Sequence, residues 1–272
     1  MSWIITGTQR YQPAALLDQF PGAAAAYSLR NLVGTSSPAV VRVRRDNDDA
    51  EQDFTAAEVS DGTLAAWVGA GNDGFVRTWY DQSGNDQHAI QSTSDNQPKI
   101  VDSSGGLVTV NGEAALDFDG ANDDFTFLTL TSFSAITVYA VLNVFGSNIA
   151  LNAQESGVDD IRLSNNAIIF DDGAFTSLTF DNPTAAQALY YFMHNESVLK
   201  GNTNGATEKS VNDSFNFSAM NDGVLRLGIR TAFTGSNEFS GTSQEIIVYP
   251  SDQSANRAAI EANINAHYSI YP

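Results

Sequence analysis

Four aspartates fall within one eight-residue stretch of the sequence, at Asp117, Asp119, Asp123 and Asp124. Carboxylate oxygens are the ligands that calcium prefers, and the stretch begins with the Asp-x-Asp-Gly pattern of many calcium loops. The EF-hand pattern would place a glutamate at loop position twelve, where this chain has Leu128. Aspartate is also a good turn former, because its side chain bonds nearby backbone groups. Two interpretations therefore stay open: a Ca²⁺ site, or a polar turn before a strand.

A second group of reactive side chains follows an apolar run at residues 75–80, whose aromatic and β-branched residues predict a buried strand. The strand leads into a polar turn in which Gly84 allows the positive φ of a tight corner. Aromatic faces and Asp or Asn side chains also occur in small-molecule binding sites, where they contact the ligand. The turn is therefore either a structural corner or a ligand-binding loop. The candidate ligand-binding residues in it are Trp79, Tyr80, Asp81 and Asn85.

The segment Trp79-Tyr80-Asp81-Gln82-Ser83-Gly84-Asn85 resembles a motif of the catalytic domain of family-B α-L-arabinofuranosidases. That domain is a jelly roll of the concanavalin A/laminin-G-like type, and similar domains are common in bacteriophage structural proteins. The resemblance covers residues 22–272 and is weaker in the middle than at the ends. Its other motifs are Ala26-Tyr27-Ser28-Leu29-Arg30, Val41-Arg42-Val43-Arg44-Arg45, Leu227-Gly228-Ile229 and Tyr249-Pro250-Ser251-Asp252.

The resemblance also implies where catalytic carboxyl groups would lie. The family's nucleophile is a glutamate, and alignment of its segment with residues 178–182 places Asp181 at that position and matches Asn182. The family's acid/base aspartate follows Leu-Gly-Ile-Gly-Gly, whereas here residues 227–229 are followed by Arg230, Thr231 and Ala232. A retaining hydrolase needs two carboxyl groups about 5 Å apart. One of the two is missing from this alignment, unless Asp159, Asp160 or Glu238 replaces it.

Without that acid, the resemblance predicts a domain that is not an enzyme, with Asp181 as a weak catalytic candidate. Asn182 and Arg230 join the candidate ligand-binding residues. The favoured function is a structural or adhesion module of a phage virion or another extracellular assembly, which contacts glycans or neighbouring virion proteins. The alternative is an arabinofuranosidase-like glycoside hydrolase.

Composition limits the partners and the location. The formal charge is −19, from 13 basic and 32 acidic residues, which disfavours nucleic acid and anionic lipid, because both require clusters of Lys and Arg. No cysteine is present, so thiolate metal sites, disulfides and the family's cysteine pair are excluded. The sequence shows no membrane span and no Sec signal. Taken with the resemblance, these features predict a virion-surface or extracellular protein, which could form a homo-oligomer and has no cofactor other than Ca²⁺.

The pattern of elements predicts the fold. Short strand candidates separated by polar turns indicate an all-β, two-sheet antiparallel sandwich, and the resemblance implies that it is a jelly roll. Residues 1–21 form a short N-terminal arm with one helix candidate at residues 13–20, and residues 22–272 form the jelly roll. An Asn-Gly pair at residues 111–112 predicts a type I′ hairpin between strands at residues 108–110 and 113–118. Ile260, Ile264 and Tyr268 form one stripe at helical spacing, which predicts a C-terminal helix that packs on the sandwich.

Overall fold

The computed structural model describes residues 15–34, 36–104, 106–130, 132–145, 149–154, 159–181, 186–217, 223–228 and 238–272. The helices in these residues are α1 Leu16–Gln19, α2 Ala56–Ser60, α3 Thr63–Val68 and α4 Arg257–Tyr268. The first strands are β1 Ala25–Ser28, β2 Ala39–Arg45, β3 Glu51–Thr55, β4 Gly74–Trp79, β5 Ala89–Ile90, β6 Lys99–Asp102, β7 Gly106–Leu107, β8 Thr109–Val110, β9 Glu113–Ala114, β10 Leu116–Asp119 and β11 Phe125–Thr129. The remaining strands are β12 Ile136–Val144, β13 Ile149–Gln154, β14 Asp159–Ser164, β15 Ala167–Asp172, β16 Phe175–Thr179, β17 Ala188–His194, β18 Val198–Thr203, β19 Lys209–Asn212, β20 Val224–Leu227 and β21 Ser240–Tyr249.

The strands pair into one continuous antiparallel sheet that folds over itself into two layers. One layer, the helix-side layer, runs from β19 through β18, β17, β12, β21 and β10 to β6, with β1 also paired to β21. The other, the open layer, runs from β16 through β15, β14, β13, β20, β11, β5, β4 and β2 to β3. Strand β4 pairs with both β5 and β6 and so joins the layers. The prediction of an all-β antiparallel sandwich is confirmed.

Strand β12 is apolar along nearly its whole length because both of its faces are buried. Val138 and Ala140 point into the main core between the two layers, whereas Tyr139 and Val141 point into a second core beneath α4. Strands β17 and β21 alternate between the same two cores. A strand buried on both faces carries apolar residues at every position instead of every second one.

Helix α4 covers the outer face of the helix-side layer. Ile260, Ile264 and Tyr268 are fully buried in the second core, which confirms the predicted helix and its stripe. Beneath it, Arg30 donates hydrogen bonds to both oxygens of Glu245 at 2.7 and 2.9 Å, and its Nη1 donates to Asn263 at 3.0 Å. This buried ion pair joins β21 to the segment that follows β1 and to α4. Among the described residues, no helix has the length and apolar character needed to cross a membrane.

The hairpin at residues 111–112 forms as predicted, with positive φ at both Asn111 and Gly112, but its strands are shorter than expected. β9 ends at Ala114, and the residues after it form β10, which pairs with β21 instead of extending the hairpin. The predicted helix near residues 13–20 contains the single turn α1. The division at residues 21 and 22 stays a prediction, since residues 1–14 lie outside the described part of the chain.

Candidate functional site

A cleft of about 620 Å³ lies on the outer surface of the sandwich, where β2, β4, β6 and β10 run side by side. We refer to it as the acidic cleft. The loop at residues 94–97 and the turn after β10 form its rim. Its lining residues are Arg44, Asp46, Asp49, Phe75, Ser94, Asp95, Gln97, Lys99, Asp117, Asp119 and Asp123.

The register of the paired strands determines which side chains form the floor of the acidic cleft. Arg44 pairs with Phe75, Phe75 with Lys99, and Lys99 with Asp117, so these side chains form one row across four strands. Residues paired directly across an antiparallel sheet project from the same face. Their sequence neighbour Val76 points the other way, into the main core. The Arg44 guanidinium lies 5.1 Å and the Lys99 amine 5.8 Å from the centre of the Phe75 ring.

Both cations in the row are already paired with carboxylates. Arg44 contacts Asp49 at 2.9 Å, and its Nε donates to Gln97 Oε1 at 2.9 Å. Lys99 contacts Asp73 at 2.9 Å and Asp102 at 3.3 Å. Because their charges are balanced by these partners, the acidic groups determine the charge that the cleft presents.

Asp123 is the most deeply buried carboxyl group of the acidic cleft, with 8% of its surface exposed. Its Oδ2 accepts a hydrogen bond from the Asp119 N–H at 2.9 Å, the one hydrogen bond that the described residues give to this side chain. Burial, followed by the nearby charges of Asp119, Asp117 and Asp124, raises the pKa of Asp123 to about 7. The carboxyl is therefore held partly protonated at neutral pH, with Oδ1 without a protein partner in the described chain.

Asp119 occupies a different environment in the same turn. Its side chain is exposed, and its Oδ1 accepts backbone hydrogen bonds from Ala121 at 2.8 Å and Asn122 at 3.4 Å. Burial also raises the pKa of Asp117.

The fourth aspartate of the predicted calcium loop turns away from the acidic cleft. Asp124 accepts hydrogen bonds from Gln91 Nε2 at 2.5 Å and Asn96 Nδ2 at 3.5 Å, and it does not line the cleft. Within the described ranges, no group of three or more His, Asp or Glu side chains is arranged to hold a metal ion. The geometry therefore gives the Ca²⁺ prediction for Asp117, Asp119, Asp123 and Asp124 no support.

Three of the predicted ligand-binding residues have structural roles instead. Trp79 is 1% exposed and packs against Tyr27 and Phe125 in the main core, so a sugar cannot reach its face. Asp81 accepts four hydrogen bonds, from the backbone of residues 26, 83 and 87 and the Ser83 hydroxyl. Asn85 Nδ2 donates to the carbonyls of residues 23 and 24. The structural-corner interpretation is correct for these residues, because their polar groups bind the chain itself.

Tyr80 is half-buried beside the same corner. Its hydroxyl donates to Asp53 at 2.9 Å, and its ring meets the edge of His88. Tyr80 therefore lies on the outer surface but does not line the acidic cleft.

Asp181, the position aligned with the family's nucleophile, follows β16 at one edge of the open layer. Asp181 is exposed and contacts Lys209 at 2.6 Å. In register, Leu178 aligns through β15, β14 and β13 with Leu227 of β20, so the strand before Asp181 is four strands from β20. At a strand spacing of about 4.8 Å, Leu178 and Leu227 are about 19 Å apart along the sheet. The other aligned position, Ala232, lies outside the described residues. Asn182 and Arg230 lie outside the described residues.

Asp123 lies beside the segment where the resemblance places the acid. A Cβ added to Gly228 would collide with the Asp123 carbonyl oxygen, so this turn and the end of β20 are in direct contact. The sequence analysis assigned Asp123 to a metal site and did not consider it as a catalytic carboxyl group. The four-aspartate pattern was the available signal, but the burial that alters its chemistry comes from residues distant in sequence.

Comparison with known proteins finds structural neighbours. No family model and no curated protein sequence matches the chain. A GH54 α-L-arabinofuranosidase soaked with 4-nitrophenyl α-L-arabinofuranoside aligns over 90% of this chain with a TM-score of 0.65 and 19% identity. An arabinofuranosidase in complex with arabinofuranosyl-α-1,2-xylobiose aligns over 90% with a TM-score of 0.64 and 20% identity. The chain spans 62% of the length of each. At this identity the likeness shows the fold, a β-sandwich shared with carbohydrate-active proteins.

These neighbours correct the prediction that the chain is not an enzyme. That prediction relied on one aligned position, Ala232, which lacks a carboxyl group. Three solved structures that share the fold over 90% of this chain are arabinofuranosidases, and this finding overturns the prediction. A missing acid at one aligned position is weak evidence when another acid, Asp123, lies against the neighbouring strand end.

Proposed function

We propose that the chain is an arabinofuranosidase-like glycoside hydrolase whose reactive centre is the acidic cleft. The observation that carries the proposal is Asp123, a carboxyl group 8% exposed that lines the cleft and has a pKa raised to about 7. A glycosidase needs one carboxyl that keeps its proton near neutral pH and one that stays ionised. Asp119, which accepts two backbone hydrogen bonds in the same turn, supplies the second carboxyl group.

In this proposal Asp123 donates its proton to the glycosidic oxygen as the bond from that oxygen to the anomeric carbon breaks. The Asp119 carboxylate faces the positive charge that develops on the sugar ring. Water supplies the hydroxyl group of the released sugar, and its remaining proton restores Asp123. The shared fold with arabinofuranosidases supports this reaction class. A virion role and virion partners stay predictions without support in the comparisons.

The test compares two substrates with different demands for an acid. 4-Nitrophenyl α-L-arabinofuranoside has a good leaving group, whereas arabinofuranosyl-xylobiose requires protonation of its leaving oxygen. We expect Asp123→Asn to lower kcat/KM on the oligosaccharide by about 10²–10⁴-fold and to lower it less on the aryl substrate. Asp119→Asn should impair both. The rate on the oligosaccharide should also fall as pH rises through about 7, because Asp123 then loses its proton.

Asp181→Asn is the matched control, since it removes an exposed aspartate outside the acidic cleft. If Asp181→Asn lost activity and Asp123→Asn stayed fully active, the catalytic carboxyl group would be Asp181, and our assignment would be refuted. Absence of turnover of both substrates by folded protein would reject the hydrolase function itself.

A further inference from the structure

A second pocket, of about 430 Å³, lies between α2, the β8–β9 hairpin and the C-terminal end of α4. We refer to it as the hairpin pocket, and it shares no lining residue with the acidic cleft. The larger apolar side chains of its lining are Leu29, Val59 and Leu107. Glu113 of the hairpin and His267 of α4 also line it. The hairpin pocket therefore combines an apolar wall with two groups that can form hydrogen bonds.

The elements that carry these two groups are firmly anchored. Gln244 Nε2 of β21 lies 3.1–3.3 Å from the carbonyl oxygens of residues 110, 113 and 114, which holds the hairpin against the sheet. Next to His267, Tyr268 is 1% exposed, and its hydroxyl lies 3.2 Å from the Gln244 carbonyl oxygen. Side chains held in this way lose little freedom when a ligand binds.

Glu113 and His267 face each other without forming an ion pair. The His267 Nε2 lies 3.4 Å from a carboxylate oxygen of Glu113. Burial, followed by the nearby charge of Arg30, lowers the pKa of His267 to about 4, so its imidazole is neutral at pH 7. The side chains are 39% and 32% exposed, and the described part of the chain gives neither of them a hydrogen bond. Both groups are therefore accessible to a ligand in the pocket.

Their chemistry suits an uncharged hydroxyl group. A carboxylate only accepts hydrogen bonds, whereas a neutral imidazole has one donor and one acceptor. A single hydroxyl group can donate to Glu113 and accept from His267. An ammonium group is disfavoured, because the Arg30 charge that lowers the pKa of His267 acts on any positive charge at the same place. An anion is repelled by the Glu113 carboxylate.

The apolar lining suits an aromatic ring better than a sugar. Sugar sites commonly offer an exposed aromatic face, but Tyr268, the one Phe, Tyr or Trp among the described lining residues, is 1% exposed. The aliphatic side chains of Leu29, Val59 and Leu107 provide a wall without further polar groups for sugar hydroxyls. The volume falls within the range of about 300–1,000 Å³ that is typical of small-molecule pockets.

We infer that the hairpin pocket binds small uncharged aromatic alcohols, with the hydroxyl group between Glu113 and His267 and the ring against the apolar wall. The inference goes beyond the proposed hydrolase function and does not depend on it, because the two sites have no lining residue in common.

The experiment uses three probes that share one ring system. 2-Naphthol carries the hydroxyl group, its methyl ether lacks the hydrogen-bond donor, and 2-naphthoate is the anion. Isothermal titration calorimetry at pH 7 measures the affinity of the full chain for each. We expect 2-naphthol to bind about tenfold more tightly than the ether, the low end of what a hydrogen bond to a charged group contributes. The naphthoate should bind more weakly than either.

Glu113→Gln tests the polar contact. It removes the charge and keeps the shape of the side chain, so we expect it to weaken binding of 2-naphthol about tenfold and to leave binding of the ether unchanged. Asp181→Asn is the matched control, because it removes one negative charge from an exposed position outside the pocket.

Ala57→Trp tests the location. Ala57 is an exposed lining residue on α2, and a large side chain there should block the pocket and abolish saturable binding of 2-naphthol. Ala66→Trp makes the same change at an exposed position of α3 that does not line the pocket, so binding should persist. Melting temperatures establish that each variant is folded.

Equal affinity for 2-naphthol and its ether, tighter binding of the naphthoate, or no binding of any probe would overturn the inference. So would binding that a folded Ala57→Trp variant leaves intact. The comparison of the alcohol with the ether uses the wild type alone, so it decides the question even if a variant does not fold. The readout is equilibrium binding, so hydrolase activity or its absence does not affect the result.

Discussion

Asp123→Asn tests the environment of the buried carboxyl without reference to any substrate. Asparagine has nearly the same shape as a protonated aspartic acid, and its side-chain oxygen can accept the hydrogen bond from the Asp119 N–H. The variant differs from the wild type mainly in that it cannot ionise. The pH dependence of the difference in their stabilities therefore reports the cost of placing a charge at this position.

The magnitude follows from the pKa. Burial raises the pKa of Asp123 from 3.8 to about 7, so the folded state holds this proton more tightly than the unfolded state does. Stability from this group is fully present below about pH 4 and is lost as pH rises toward the folded value. The shift of about three pKa units corresponds to a loss of about 4 kcal/mol of unfolding free energy by pH 8. The unfolding free energy of Asp123→Asn should not fall in this way, because asparagine does not ionise.

The assay is chemical denaturation of wild type and Asp123→Asn at pH 4, 5.5, 7 and 8. We expect similar stabilities at pH 4, where both side chains are neutral, and a growing advantage of the variant up to about pH 7. The comparison at pH 4 is the internal control for packing changes. A difference in unfolding free energy that stays constant from pH 4 to pH 8 would show that the Asp123 pKa is ordinary, and the acid assignment would lose its basis.

Three further outcomes are expected. Arg30→Met should cost about 3–5 kcal/mol in denaturation, because it leaves the Glu245 carboxylate, 1% exposed, without its charge partner; unchanged stability would show that the pair is dispensable. Gly228→Ala should lower both the melting temperature and the activity, because its Cβ would collide with the Asp123 backbone. A fully active variant would show that the contact between β20 and Asp123 does not matter for the reaction. Treatment with a chelator should leave the melting temperature unchanged, whereas a fall of several degrees would restore the Ca²⁺ site, because a bound ion stabilises the native state by mass action.

Local patterns predicted the elements of this fold well. The period of 3.6 residues shared by Ile260, Ile264 and Tyr268 identified α4, and the Asn-Gly pair identified the hairpin turn. Both signals depend on residues close in sequence, where the backbone geometry of a helix or a two-residue turn fixes which side chains lie together. Strand pairing did not follow in the same way, because β10 pairs with β21, more than 120 residues later in the chain.

The site was predicted less well because sequence does not show which face of a strand is buried. Trp79 and Tyr80 are adjacent aromatics at the end of β4, yet one packs in the main core and the other reaches the outer surface. Asp123 and Asp124 are two adjacent aspartates, and the fold directs one into the cleft and the other toward Gln91. Differences of this kind arise from one residue of register, which composition and spacing do not contain.

Strand β21 has a consequence for how the protein is made. It pairs with β1, β10 and β12, so three strands that precede it by more than 90 residues are joined through one that the ribosome produces much later. Until residue 249 has been synthesised, those three strands carry unpaired edges and their apolar faces lack a partner. Such edges are templates for aggregation, and contacts so distant in sequence form slowly. The nascent chain therefore exposes these edges for longer than a protein built from local hairpins would.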